Sequence, residues 1–61
     1  MNQIKNLTSY EERKAQLLRK MCAKLMKMGM TYEASVEQVI MDMKAAGSIT
    51  PESWIRLVLN Q

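Results

Sequence analysis

The sequence predicts an all-α fold, a compact three-helix domain spanning residues 1–61. Three observations predict it. Apolar residues recur at helical spacing along most of the chain. Each periodic stretch is bracketed by residues that start and stop helices. No stretch shows the apolar–polar alternation of a half-buried strand. The expected helices run over about 9–28, 32–46 and 51–59, after a flexible tail of about 1–7.

The first helix opens on a capping box, either Ser9 with Glu12 or Thr8 with Glu11. Glu11 and Glu12 then stand where the helix dipole favours negative charge, and Lys24 and Lys27 where it favours positive. Gly29 can adopt the left-handed conformation that closes a helix. At about 100° per residue, Tyr10, Leu17, Leu18, Met21, Cys22, Leu25 and Met28 share one broad apolar arc, widened by Ala15 and Met26. Arg13, Lys20, Lys24 and Lys27 gather on the flank beyond Leu17 and Met28.

Thr31 is the expected N-cap of the second helix, with Glu33 in its first turn and Gly47 at its end. Tyr32, Val36, Val39, Ile40, Met43 and Ala46 line one face. Met41 falls on the opposite face, among Ala34, Gln38 and Ala45. In "SITPESW" Thr50 is expected to cap the third helix, with Pro51 at the first helical position. Ile49 and Trp54 occupy the positions of a hydrophobic staple. The third helix is apolar almost all round (Trp54, Ile55, Leu57, Val58, Leu59), which calls for burial on more than one side.

Size and composition limit what such a chain does. Sixty-one residues lie near the lower limit for a single self-sufficient core. Ordering costs about 1.5 kcal/mol per residue, so small domains usually need a staple, a metal or a partner. One cysteine, Cys22, excludes an intrachain disulfide. With no histidine and no cysteine cluster, no metal site and no cofactor is expected. Catalysis lacks a base, and Cys22 on the apolar arc reads as an inert buried thiol, so no enzyme is expected. No signal-peptide core or membrane-spanning run is present, so the expected setting is cytoplasmic, without membrane or small-molecule partners.

Charge is divided unevenly. Residues 1–28 hold seven Lys or Arg against two acids, and residues 29–61 two against four. Halves of opposite sign, and a greasy third helix, point to a homodimer with Met41, Trp54, Ile55 and Leu59 at the interface. Methionine both fills irregular cores and lines adaptable contacts, so Met41, opposite the core arc, stands out as a contact residue. The stripe Arg13, Lys20, Lys24 and Lys27 is either a solvated face or a phosphate-contacting one. A helix-turn-helix is not supported: counting back four positions from Gly47 and Gly29 gives Met43 and Leu25 where a small residue is needed.

From "MNQIKNLTSYEERKAQLLRKM" to "MKAAGSITPESWIRLVLNQ" the whole chain resembles the small accessory proteins of the exo–xis early region of lambdoid bacteriophages. The resemblance implies a compact helical protein, often a homodimer, acting in early phage development. It would act in the host bacterial cytoplasm, tilting the choice between lysis and lysogeny through contacts with a host or phage protein. It carries over no site residue. The expected function is therefore a non-enzymatic interaction protein, the alternative being a small DNA-associated regulator that uses the basic helix face.

Overall fold

A computed structural model describes residues 8–60; the expected flexible tail over 1–7 lies outside the described residues. Those residues form α1 (Ser9–Lys27), α2 (Tyr32–Ala45) and α3 (Glu52–Leu59), with no strand among them. The predicted helices are recovered to within a residue at each end. Met28 and Ala46, expected as last helical residues, are instead the C-caps of α1 and α2.

Local chemistry sets each boundary. Of the two possible capping boxes, Thr8 and Glu11 form it: the Glu11 N–H donates to Thr8 Oγ1 and the Thr8 N–H donates to Glu11 Oε1, both at 3.1 Å. Thr31 caps α2 through a 3.1 Å bond donated by the Ala34 N–H. Both long helices end in the same Schellman motif. In α1 the Met30 N–H donates to the Leu25 carbonyl and the Gly29 N–H to that of Met26; in α2 Ser48 and Gly47 donate to Met43 and Lys44. The glycines sit at φ +104° and +79°, in the half of backbone space that side chains avoid.

The entry to α3 differs from expectation. Pro51, not Thr50, is the N-cap, and it offers no side-chain acceptor. Thr50 is instead drawn into the preceding turn, where its N–H and hydroxyl both meet Ser48 Oγ, at 3.1 and 2.8 Å. Moving the cap by one residue removes Ile49 from the staple position, and Ile49 is left 96% exposed.

The Cα atoms span 33 × 29 × 17 Å. Packed helices lie about 8–10 Å apart, so the short dimension has room for two layers and no third. α1 packs on both α2 and α3, which touch each other less extensively. The core is supplied by all three: Ala15, Leu18 and Cys22 from α1, Val36, Val39 and Ile40 from α2, Ile55, Val58 and Leu59 from α3. Met21, Leu25, Met43 and Trp54 pack around its edge. Ser35 is fully buried among these groups, its hydroxyl donating to the Thr31 carbonyl at 2.8 Å, so no polar cost is left open.

Two expectations change here. Ile55 and Leu59, expected at an interface between copies, belong to the chain's own core. The broad arc of α1 is only half buried: Tyr10, Leu17 and Met28 remain 69%, 53% and 72% exposed. The reason is geometric. Two partner helices cover one side of α1, Leu18 through Cys22 to Ala15, and the neighbouring side faces solvent.

Candidate interaction surface

Once the core is removed from the apolar arc of α1, a narrower pattern is left. Tyr10, Lys14, Leu17, Met21, Lys24 and Met28 follow one another at alternating intervals of four and three. That is the a/d spacing of a coiled-coil seam, which keeps a row of side chains facing a second helix. Four of the six are large and apolar. The two lysines carry long methylene stems that lie along apolar surface while the ammonium stays in water. Within the chain the Lys14 ammonium stands over an aromatic face, its Nζ 5.3 Å from the centre of the Tyr10 ring.

Three shallow hollows follow this row. The first, of about 240 Å³, is walled by Tyr10 and Lys14 on α1 and by Ile49, Pro51 and Trp54 from the loop and start of α3. The second, of about 340 Å³, lies among Tyr10, Arg13, Lys14 and Leu17. The third, of about 400 Å³, lies among Met21, Lys24, Leu25, Met28 and Asp42. The exposed Ile49 thus stands beside the first hollow, where it lengthens the apolar row beyond the end of α1.

One edge of the seam is basic. Arg13, Lys20 and Lys27 recur every seven residues along it, with Lys24 in the seam itself. All four are exposed, and none has a carboxylate within ion-pair distance among the described residues. The opposite edge, toward α2 and the loop, carries Glu11 and Asp42. The basic stripe therefore lies where the sequence places it, but beside an apolar row that the sequence assigns to the core.

The other expected contact residues are distributed differently. Met41 is 61% exposed on the back of α2, between the exposed Ala34 and Ala45, as the helical spacing predicts. Trp54 is half-buried, one side against the core and one side on the first hollow. The structure does not bring Met41 and Trp54 together with Ile55 and Leu59, which are interior.

Elsewhere, four charged groups of α2 and α3 are engaged with one another. Arg56 on α3 reaches Glu37 on α2 at 2.6 Å and Glu52 at 2.9 Å, and Lys44 reaches Glu52 at 3.3 Å. Hydrogen bonding by Arg56, then by Lys44, holds the Glu52 carboxyl below its ordinary value, and Glu37, then Glu52, holds Arg56 above its own. A further hollow, about 460 Å³ near Tyr32, is walled in part by this paired Arg56 and Glu37. Cys22 is buried and its thiol is pushed up by desolvation, which keeps it in the unreactive protonated form. Among the described residues no three metal-ligating side chains come together, and no helix is long and apolar enough to cross a membrane.

Compared with known proteins, the chain matches no family, no curated protein and no solved structure.

Proposed function

We propose that this chain is a non-enzymatic interaction protein that engages another protein through the outer face of α1. The observation that carries the reading is the seam itself: an apolar row of coiled-coil spacing that borders the core, where Met21 packs against it, and that leaves Tyr10, Leu17 and Met28 exposed, with three hollows along it. Exposed apolar contiguity of this kind marks contact surfaces in soluble proteins. The role that goes with the phage resemblance, modulation of host physiology and of the lysis–lysogeny choice, is part of this proposal. So is the pairing of two copies, for which the exposed Met41 face of α2 offers a further apolar surface.

The basic stripe supports a second reading, a DNA-associated regulator, because its four cations are exposed and have no carboxylate within ion-pair distance among the described residues. Side by side with a row of large apolar groups, the stripe suits a protein contact better than a phosphate backbone. Phosphate contacts require charge alone. Replacing Leu17 by Glu separates the two. The first reading requires that partner capture be lost and that the helical content stay unchanged. Retention of a specific partner by the Leu17→Glu variant would overturn the first reading, and salt-sensitive duplex DNA binding that Lys20→Glu abolishes and Leu17→Glu leaves intact would replace it with the second.

A further inference from the structure

The face on α1 has a charge pattern that selects its occupant. Resting on the reading of this face as a protein-contact surface, we infer that its partner is an amphipathic helix of another protein, apolar at a and d positions and acidic along one edge. Three observations lead there. The seam repeats at intervals of four and three along α1, from Tyr10 to the C-cap Met28, about 27 Å or five turns. That spacing matches a second helix lying alongside, since only another helix presents knobs at the same period. The three hollows are the holes such knobs fill.

Charge then discriminates among helices. A second copy of this chain, laid antiparallel along the seam and centred on residue 19, would set Tyr10 on Met28 and Leu17 on Met21 of that copy. The same register sets Lys14 opposite Lys24, Arg13 opposite Lys27, and Lys20 beside its own counterpart. Each of these polar pairings is cation against cation, so self-pairing in that register is disfavoured. A carboxylate row meets Arg13, Lys20 and Lys27 instead, and Lys24 from within the seam. Glu11 and Asp42 on the far edge repel acids there, so the partner's carboxylates are confined to one edge, which fixes the roll of the docked helix.

Trp54, the chain's only tryptophan, walls the first hollow and reports the contact without a label. The probe is a synthetic tryptophan-free peptide of about 20 residues, long enough to cover the five turns, with Leu at a and d and Glu along one flank. Titrated into the full chain, it is expected to change Trp54 emission saturably, with affinity that falls as salt rises. Leu17→Glu is expected to weaken it by about tenfold or more. The triple variant Arg13→Glu, Lys20→Glu, Lys27→Glu is expected to lose this peptide and to gain a Lys-flanked one of the same apolar pattern. These positions are exposed, so the variants keep the core intact. Equal binding of Glu- and Lys-flanked peptides, or binding of neither, overturns the inference. So does saturation of the face by anionic phosphatidylserine vesicles or duplex DNA in preference to the acidic peptide. A physiological partner that is lost on Leu17→Glu yet presents no acidic helix removes this inference and leaves the contact surface standing. A partner indifferent to Leu17→Glu removes both.

Discussion

The Tyr32 hydroxyl, on the first residue of α2, donates to the main-chain carbonyl of Leu59, the last residue of α3, with Asn60 Oδ1 2.7 Å away as a second acceptor. The last carbonyls of a helix have no partner within it. Here a side chain twenty-seven positions earlier supplies one. The contact ties the two helices that touch each other least, at the end of a helix of eight residues. Tyr32→Phe keeps the ring and removes the donor. It is expected to lower unfolding stability by about 1 kcal/mol, read as a lower urea midpoint at unchanged slope, with faster amide exchange in α3.

Alkaline pH acts on the same region. Desolvation, and then the nearby Cys22, raises the Tyr32 phenol above its ordinary value of 10.0, and desolvation raises Cys22 above 9.0. The unfolded chain therefore loses these protons first. Stability is complete below the ordinary values and declines as pH rises through them toward the folded ones. Thermal melts from neutral pH upward are expected to show this decline, and Tyr32→Phe to remove the tyrosine part of it. A melting temperature flat through that range would contradict the assignment.

On the acid side the sign reverses. Arg56 and Lys44 hold Glu52 below its ordinary value of 4.5. Their contribution is present above that value and is lost as pH falls through the lowered one. Because these groups are at the surface, the loss is small and weakens further in salt. Arg56→Gln is expected to flatten the acid limb at low ionic strength and to make little difference at high salt.

Adjacent leucines on α1 test the division between core and seam. Leu18 is fully buried and Leu17 is half exposed. Leu18→Ala is expected to cost about 2–5 kcal/mol, a large share of what so small a domain has. Leu17→Ala, by contrast, is expected to stay within about 0.5 kcal/mol. Equal losses in chemical denaturation would mean that both belong to one interior.

Helix positions were legible because their signals are local. Thr8, Thr31, Gly29 and Gly47 act through main-chain groups within a few residues, and their roles depend little on the rest of the chain. The start of α3 was not: Ser48 competes for Thr50, and that bond is decided by the turn after Gly47 rather than by the propensity of threonine to cap. The candidate surface was half legible. Periodicity marked the apolar arc of α1 and the basic stripe, but a helical wheel cannot say how much of an arc its neighbours cover. The interval pattern from Tyr10 to Met28 was present in the sequence, obscured by Leu18, Cys22 and Leu25, which belong to the adjoining arc. Ile55 and Leu59, expected at an interface, lie in the chain's own core for a related reason. A helix apolar on all sides signals burial without naming the chain that buries it.

On the proposed reading, folding and recognition occupy separate longitudes of one rod, which leaves them free to diverge under selection. A lineage carrying this architecture can trade Tyr10, Leu17 or Met28, and re-sign the cations beside them, while Ala15, Leu18 and Cys22 go on holding the helices together. Sequence drift among descendants should accordingly concentrate on one side of α1, wherever the acquaintances they keep have changed.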